Sequence, residues 1–516
     1  MYMYSKIISG ALLGVRSLLI NVEVDVSSGI PLFAMVGCAG SEVRESKERI
    51  WAAFKNTGLP MPVSRITVNL SPADMHKEGT SYDLPIAIGI LESAEIIPAG
   101  NSGNILFLGE LGLNGEIRTV RGVLPIVTEA AKKGIKECII PSGNAAEGAI
   151  VPGIIVRGAK SLTQVLEYLR SPSEEKLPRE PACSFENDLS EDSSTEYEED
   201  FADVNGQDAA KRAAVISAAG FHSLLMTGPP GVGKSLIAKR IPSIMPPLSR
   251  EESLEVTAIY SVAGKLPPGS TLIRKRGFES PHHTITLPAL TGGGSNPRPG
   301  AISLAHRSVL FLDELTEFDR KAIDSLRQPL EDHEVHISRS RYSISYPADF
   351  LLVCAMNPCP CGYYPDRNKC RCTENTIRKY LGKVSGPILD RIDLCVQMSP
   401  VSVKDISAGK KGITSAEMRS RVVLARIAQK KRYEGTSYRF NSEVNGSDLE
   451  KYCPLDEKER SFLGEMSDRL GLSVRSYHRI IRVARTIADI EGSDRICHGH
   501  ILEAASYRPN DEYWKT

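Results

Sequence analysis

Residues 228–235, which read GPPGVGKS, have the types and spacing of a phosphate-binding loop. The glycines let successive backbone N–H groups turn toward phosphate oxygens, Lys234 supplies a cation for the outer phosphates, and the Ser235 hydroxyl can ligate Mg²⁺. The predicted nucleotide-binding residues are Gly228, Pro229, Pro230, Gly231, Val232, Gly233, Lys234 and Ser235. An apolar run precedes the loop and a segment with helical spacing follows it, which favours a nucleoside triphosphatase over a glycine-rich turn without function.

Two acidic residues follow the apolar segment 309–312, and an asparagine follows a second apolar segment, 350–355. Both segments have the composition of buried strands. Asp313 could support Mg²⁺, and Glu314 could polarise the attacking water. The Asn357 amide could orient that water beside the γ-phosphate, which resembles the sensor-1 residue of AAA+ ATPases. These residues predict hydrolysis of ATP with Mg²⁺ as the cofactor.

Composition divides the chain into parts that would position these residues. With 516 residues the chain exceeds the usual size of a single core, so several domains are expected. Strand-like and helix-like runs alternate at the start, a stretch rich in Glu, Asp, Ser and Pro follows, and helical patterns dominate the end. In this last part Ser447 with Glu450 predicts a helix that starts with a capping box, and Ser473 predicts another helix start. We predict an α/β domain over 1–169, an exposed acidic linker over 170–200, an ATPase core over 201–400 and a helical lid over 401–516.

The charge balance and the composition limit the classes of protein to which this chain could belong. Lys plus Arg and Asp plus Glu both total 63, so only local patches could bind a polyanion such as DNA. No apolar segment approaches the roughly 18 residues of a membrane span, and the N-terminal residues read as a folded strand rather than a signal peptide. The cytoplasm is the expected compartment, and the 11 cysteines are expected to be reduced thiols or metal ligands.

Seven segments together resemble the YifB/ComM family of magnesium-chelatase-like AAA+ proteins. They are VNGQDAAKRAAVISAAGFHSLLMTGPPGVGKS, ESPHHT, GGGSNPRPGAISLAH, LFLDELTEF, LRQPLEDHEVHISR, NPCPCGYY and SGPILDRID. The resemblance covers nearly the whole chain and implies a P-loop AAA+ α/β core followed by a helical C-terminal lid. The chain departs from the family at Glu279, where an arginine is usual, and at Arg307-Ser308, where Asn-Gly is usual. Neither departure falls on a nucleotide ligand.

Two arginines stand where the AAA+ resemblance implies a role. Arg391 follows a short loop, as does the arginine finger that reaches the γ-phosphate of a neighbouring subunit and contributes about 10³–10⁵ in rate. Arg475 begins a predicted helix, as sensor-2 residues do. Arg479, Arg482 and Arg485 follow at helical spacing and are expected on a solvated or interdomain face. The resemblance implies a closed ring of identical subunits, a hexamer.

Residues 333–347 form two alternating arms around Arg339-Ser340-Arg341, which predicts a β-hairpin. In the AAA+ clade that the chain resembles, such a hairpin points into the ring pore. Arg339 or Arg341 could therefore grip DNA phosphates, or either could act at a subunit interface. His282 and His283 are expected to be structural or interface residues rather than metal ligands.

Four cysteines form two C-x-C pairs immediately after Asn357. They are Cys359, Cys361, Cys370 and Cys372. Four thiolates within so short a segment could make a tetrahedral Zn²⁺ site of purely structural role. Free thiols in a reduced loop are the alternative.

The segments around Ser81 and Gly134 resemble the Lon protease fold, of the ribosomal S5 domain 2-type, in which a Ser-Lys pair cuts peptides. Ser81 falls where the nucleophile would stand, but Leu124 occupies the position of the catalytic lysine and cannot activate a serine. We expect no peptidase activity from residues 1–169. Ring assembly or DNA contact is the expected role of this Lon-like domain.

The resemblance implies a DNA motor that drives branch migration and assists integration of incoming strands during natural transformation. Two other functions remain open: an ATPase subunit of chelatase type that inserts Mg²⁺ into a porphyrin, and an AAA+ protein remodeller. The Lon-like domain argues against the chelatase, and arginines rather than aromatic residues at the predicted hairpin argue against the remodeller.

Overall fold

The computed structural model describes residues 3–182, 197–267, 269, 272–294, 297–339, 342–400 and 412–508. Within them the protein has the mixed α/β architecture with parallel strands and a helical C-terminal region that the sequence predicts. No helix in this described part combines the length and the apolar composition needed to cross a bilayer.

A seven-stranded sheet forms the N-terminal region, in the order β3-β4-β2-β1-β5-β8-β9. The strands of this region are β1 (Met3–Leu13), β2 (Arg16–Ser27), β3 (Leu32–Val36), β4 (Arg65–Ser71), β5 (Ile105–Phe107), β6 (Glu110–Leu111), β7 (Ile117–Arg118), β8 (Glu137–Pro141) and β9 (Ile155–Ala159). The alternation predicted in β2 buries Val22 and Val24 on one face, as the two-residue period of a strand requires.

Helices cover both faces of that sheet. They are α1 (Ser41–Arg44), α2 (Ser46–Asn56), α3 (Asp83–Ser93), α4 (Val123–Lys132), α5 (Ala145–Gly148) and α6 (Leu162–Arg170). Helix α3 packs into the core cluster that contains Ile7. Helix α4 packs into a second cluster, which contacts Ile8. Ile7 and Ile8 are consecutive in β1, so their side chains point to opposite faces of the sheet. The sheet therefore lies between two helical layers.

Part of the predicted acidic linker is packed rather than exposed. Leu177 is fully buried in the core of the N-terminal region, and the Glu180 N–H donates to the Val156 carbonyl at 2.7 Å. Arg157 contributes an ion pair with Glu174 at 3.0 Å. One apolar anchor and a paired charge thus hold residues 173–180 against β9, while residues 183–196 lie outside the described part.

A five-stranded parallel sheet, in the order β11-β14-β17-β10-β18, forms the ATPase core. The strands after β9 are β10 (Leu224–Thr227), β11 (Phe278–Glu279), β12 (Gly292–Gly293), β13 (Arg298–Pro299), β14 (Val309–Leu312), β15 (Glu334–Arg339), β16 (Tyr342–Pro347), β17 (Leu351–Met356) and β18 (Leu394–Gln397). The predicted strand 309–312 is confirmed, and the predicted strand 350–355 begins and ends one residue later. Since parallel strands end at one edge, this order places the ends of β10, β14 and β17 side by side.

The helices of the core surround this sheet. They are α7 (Asp208–Gly220), α8 (Lys234–Ile244), α9 (Arg250–Ala263), α10 (Leu287–Thr291), α11 (Ala301–Leu304), α12 (Arg320–Asp324), α13 (Arg327–Asp332), α14 (Glu374–Leu381) and α15 (Gly386–Leu389). Strands β15 and β16 pair antiparallel, which confirms the predicted hairpin. Arg339 ends β15, whereas Arg341 lies outside the described residues, so the roles of both remain predictions.

The C-terminal region is helical, as predicted. Its helices are α16 (Ser415–Arg432), α17 (Leu449–Tyr452), α18 (Glu457–Leu470), α19 (Val474–Ile490) and α20 (His498–Ser506). The predicted start at Ser473 is confirmed, because its hydroxyl accepts the Ser476 N–H at 3.2 Å. The capping box predicted from Ser447 and Glu450 is wrong: Asp448 is the N-cap residue of α17, and its carboxylate accepts the Tyr438 hydroxyl instead of capping the helix. The predicted boundary at residue 401 lies outside the described residues.

Polar and apolar contacts join the N-terminal region to the core. The buried Glu147 carboxylate accepts a hydrogen bond from the Ser261 hydroxyl of α9, and the Gly122 N–H donates to the Ser261 carbonyl at 3.2 Å. Leu254 and Ala258, also on α9, pack against the core cluster that contains α4. These contacts fix the two sheets relative to each other.

Asp349 joins the core to the C-terminal region. Its buried carboxylate forms ion pairs with Arg307 and with Arg439, and lies 3.3 Å from Nδ1 of His333. Burial would raise the pKa of Asp349, but the hydrogen bond from His333 and the charge of Arg307 outweigh it and lower the pKa to about 2. One carboxylate therefore balances several cations.

Asp349→Ala is expected to lower the free energy of unfolding by about 3–5 kcal/mol, because the cations would face one another without their anion. Denaturant titration would measure the loss. Asp468→Ala, on the exposed face of α18, is the control and should change little. A loss equal to that of the control would contradict the bridging role. In the unaltered protein this contribution should be complete above the ordinary pKa of 3.8 and disappear as pH falls toward 2.

Candidate nucleotide-binding site

The glycine-rich loop connects β10 to α8 at the edge where the parallel strands end. Gly231 and Gly233 have φ of +78° and +93°, a backbone that a side chain would strain, and a Cβ at Gly231 would meet open space. Helix α8 begins at Lys234, so its first N–H groups and the positive end of its dipole point into the loop. This geometry suits a bound phosphate.

The structure brings Lys234 and Asn357, both predicted to act on the phosphates or the attacking water, next to each other. Its Nζ donates to the carbonyls of Gly228 and Pro229 at 2.7 and 3.0 Å and to Oδ1 of Asn357 at 3.0 Å. Burial lowers the pKa of Lys234 below its usual value. The charges of Asp313 and Glu314 oppose this shift without outweighing it. The amine is therefore oriented by three acceptors that join the loop to the end of β17.

Ser235 and Asp313, the two residues predicted to hold Mg²⁺, lie in contact with each other. The Ser235 hydroxyl donates to Oδ2 of Asp313 at 2.7 Å, and Oδ1 of Asp313 accepts the Glu314 N–H at 2.9 Å. Both side chains offer hard oxygen atoms, the ligands that Mg²⁺ prefers together with water and phosphate. The hydroxyl of Ser235 and the carboxylate of Asp313 are therefore suitable ligands for Mg²⁺.

Glu314 projects into a cavity of about 450 Å³ next to this pair. Its backbone is left-handed with φ of +52°, which is uncommon for a residue with a side chain and frequent at functional sites. The cavity is lined by Glu314, Glu317, Asn357, Pro360, Thr376, Lys379, Tyr380 and Lys383. Glu314 and Asn357 thus line the same cavity, where an attacking water could stand.

Two residues of this site were not assigned a role from the sequence. Gln207 donates from Nε2 to the carbonyls of Val232 and Ser399 at 3.1 and 2.7 Å, which ties the loop to the end of β18. His283, expected to be a structural or interface residue, lies with Nδ1 3.6 Å from the Glu314 carboxylate. Gln207 lies in the segment GQD and His283 lies in the segment SPHHT. Their positions in the sequence do not show that either residue lies near the glycine-rich loop.

Arg391 and Arg475 are separate from the loop within this chain. Arg391 donates to the Pro387 carbonyl at 2.7 Å and forms an ion pair with Glu331. Arg475 is exposed in the first turn of α19. Among the described residues, no hydrogen bond or ion pair links either arginine to residues 228–235, so their assigned roles remain predictions.

Two of the later arginines of α19 are buried. Arg479 donates to the Ile392 carbonyl at 2.9 Å, beside β18, and so lies on an interdomain face. Arg485 is 2% exposed and pairs with Asp489 at 3.0 Å, within the helical region itself. Arg479 therefore contacts the core, whereas Arg485 stabilises the C-terminal region.

The cysteine segment packs directly on the glycine-rich loop. A Cβ placed on Gly362 would lie 2.6 Å from Cδ of Pro230, which real contacts do not allow. Gly362 also has a φ of +84°, and its N–H donates to the Cys359 carbonyl at 2.9 Å. The segment after Asn357 thus forms a wall of the candidate site.

Gly362→Ala is expected to push Pro230 out of place and to lower kcat/KM for ATP by about 10²-fold, the effect of a displacement near 1 Å. Steady-state ATP hydrolysis would measure it. Gly435→Ala is the matched control, because Gly435 has a φ of +77° and no atom within 4 Å of an added Cβ. Equal losses in both variants would show general backbone strain instead of loop displacement.

Among the described residues of the N-terminal region, Ser81 and Leu124 do not form the Ser-Lys pair of a peptidase. Leu124 lies buried on α4, where its N–H donates to the Glu147 carboxylate at 2.8 Å. Within the described part of the chain, no hydrogen bond joins the Ser81 hydroxyl to a basic side chain. The absence of peptidase activity remains a prediction with this geometry in its favour.

Three family models match the chain in succession. They are "Subunit ChlI of Mg-chelatase" over residues 22–144, "Magnesium chelatase, subunit ChlI" over 200–406 and "Magnesium chelatase, subunit ChlI C-terminal" over 412–508. The second contains the whole candidate site.

Two relatives match this chain along nearly their full length, and a third matches over part of its length. Competence protein ComM of Haemophilus influenzae is 41% identical over 510 residues, which are 97% of this chain and 96% of that protein. The uncharacterized protein YifB of Escherichia coli is 41% identical over 505 residues, with the same coverage of 97% and 96%. The magnesium-chelatase 38 kDa subunit of Cereibacter sphaeroides is 26% identical over 176 residues, 31% of this chain and 52% of that subunit.

Proposed function

This chain belongs to the YifB/ComM family of magnesium-chelatase-like AAA+ ATPases, and from that premise we propose that it is a ring-shaped, ATP-driven DNA motor. The motor promotes branch migration, which extends heteroduplex when incoming DNA recombines during natural transformation in the cytoplasm. Support for the DNA substrate is the full-length similarity to a protein named for competence.

The ATPase part is supported by the convergence of Lys234, Asp313 and Asn357 at one sheet edge. Lys234 and the first N–H groups of α8 would neutralise phosphate charge, while Ser235 and Asp313 would hold Mg²⁺. When bound, Mg²⁺ would neutralise negative charge on the phosphate oxygens. Glu314 would accept the proton of the attacking water, and Asn357 would orient that water.

A ring would complete the site from outside the chain. We assign to Arg391 the contact with a neighbouring subunit's γ-phosphate and to Arg475 the sensor-2 contact in the lid. Arg391 pairs with Glu331, whose side chain is 57% exposed, while the Arg391 side chain itself is 17% exposed. To reach a neighbouring subunit, Arg391 would leave this ion pair and the Pro387 carbonyl.

DNA contact is assigned to Arg339 and Arg341 at the end of the β15–β16 hairpin. The hairpin immediately precedes β17, and Asn357 follows the other end of that strand, so β17 connects the hairpin to the candidate site. Phosphate contacts of this kind bind DNA without reading its sequence.

ATP hydrolysis by the purified chain, with and without single-stranded, duplex and four-way-junction DNA, tests the proposal. Lys234→Ala is the blank, since it removes the cation that contacts the outer phosphates. Stimulation by DNA is expected and would lead to a junction-migration assay. Hydrolysis indifferent to all three DNA forms would contradict the motor. Stimulation by unfolded polypeptide, or by porphyrin with partner subunits, would identify a remodeller or a chelatase instead.

A further inference from the structure

We propose that the four clustered cysteines form a Zn²⁺ site whose occupancy braces the phosphate-binding loop. The cluster consists of Cys359, Cys361, Cys370 and Cys372. This inference goes beyond the DNA motor, because it concerns a metal that takes no part in hydrolysis or in DNA contact.

The sulfur positions fit one tetrahedral ion. All four Sγ atoms lie within 4.8 Å of one another. Sγ of Cys359 is 3.3 Å from that of Cys361 and 3.7 Å from that of Cys370. Zinc–sulfur bonds of about 2.3 Å place tetrahedral ligands about 3.8 Å apart. Since the structure pairs none of the four in a disulfide, each sulfur can serve as a ligand.

The charge near the cluster suits thiolates. A zinc ion with four thiolates has a net charge of about −2. Cations near the cluster would offset this charge: Arg367 and Lys369 lie in the loop between the C-x-C pairs, and Arg371 lies within the second pair.

The segment that contains the cluster has little regular structure to hold it. Between the end of β17 and the start of α14, no helix or strand is formed. Its shape depends on turns, such as the Cys370 N–H donating to the Asp366 carbonyl at 2.8 Å. A closed four-cysteine site would fix these turns, because zinc binding can fold a small loop outright.

Two contacts connect the cluster to the nucleotide site. Asn357 stands two residues before Cys359 and binds Lys234 at 3.0 Å. Gly362, between the first cysteines and the second pair, packs against Pro230. Loss of the metal would therefore let both the Asn357 amide and the segment that packs against Pro230 move away from the phosphate-binding loop.

Metal analysis of the full-length protein, purified without chelator or added metal, tests the site itself. We expect about one zinc per chain, the stoichiometry of a four-cysteine site. The double variant Cys361→Ser/Cys372→Ser should lose the zinc, and Cys497→Ser, at an exposed cysteine elsewhere, should retain it. Zinc absent from the unaltered protein, iron in its place, or equal zinc in all three proteins would overturn the assignment.

Cobalt substitution gives a readout that needs neither folding of a variant nor ATPase activity. Unaltered protein refilled with Co²⁺ should show the strong visible ligand-field absorption of a tetrahedral thiolate site, together with thiolate-to-cobalt charge transfer. The weak absorption of octahedral cobalt would count against four thiolate ligands.

The brace is tested by the kinetics of ATP hydrolysis. Removal of zinc with a zinc-selective chelator, with Mg²⁺ kept in excess, should lower kcat/KM for ATP by about 10²-fold, and added Zn²⁺ should restore it. Unchanged kinetics in zinc-free protein would overturn the brace, while the metal data would still decide the site. Failure of the DNA motor would affect neither readout, since both are measured without DNA.

Discussion

Glu314→Gln is expected to bind ATP with unchanged affinity and to hydrolyse it about 10²–10⁴-fold more slowly, the contribution of a positioned general base. Glutamine keeps the size and the left-handed backbone of the site but cannot accept a proton. The Lys234 and Asp313 contacts do not involve the Glu314 side chain, so phosphate and Mg²⁺ binding should persist. Titration with a fluorescent ATP analogue and single-turnover hydrolysis would measure the two effects separately.

Glu317→Gln is the control for that variant. Glu317 lines the same cavity and pairs with Lys383 at 3.4 Å, but it lies one turn further from Asp313. Its loss should leave hydrolysis within a small factor. If Glu317→Gln stops turnover and Glu314→Gln does not, the two carboxylates have been assigned in the wrong order.

Arg391→Ala is expected to abolish most turnover, by about 10³–10⁵-fold, if the arginine completes a neighbouring site. ATP affinity should fall little, because no contact links Arg391 to the loop of its own chain within the described residues. Hydrolysis by the purified variant would measure the loss. Glu331→Gln, which frees Arg391 from its own ion pair, should leave turnover unchanged or raise it.

Mixed rings distinguish action between subunits from action within one. A ring that mixes Arg391→Ala with Lys234→Ala subunits should regain partial activity, since an intact phosphate loop can meet an intact arginine across some interfaces. Mixing Glu314→Gln with Lys234→Ala is the matched control and should give no rescue, because both changes fall on the same side of an interface. Rescue in neither mixture would contradict the intersubunit role of Arg391.

The site was predictable where its chemistry is local. A phosphate loop needs one short run of residues, and buried parallel strands such as β14 read as uninterrupted apolar segments because both faces are covered. Asp313 and Asn357 follow two such strands, and parallel order alone brings strand ends together. These are properties that neighbouring residues determine.

The remaining parts of the site depend on packing between distant segments. Gln207 clamps the Val232 carbonyl, and Gly362 abuts Pro230, although neither pair is close in the sequence. The prediction of a capping box at Ser447 and Glu450 failed for the same reason. Asp448 begins the helix, and its carboxylate accepts a hydrogen bond from the Tyr438 hydroxyl. Likewise, Leu177 anchors a segment whose acidic composition suggested exposure.

A protease that cut the chain between its two sheets would not release two independent particles. Glu147 and Gly122 bind Ser261 across the joint, and Leu254 with Ala258 fill an apolar core on the far side. The nicked protein should elute as one species under native conditions and separate only in denaturant. An N-terminal fragment expressed alone would instead expose the surface that Leu254 covers and would tend to aggregate.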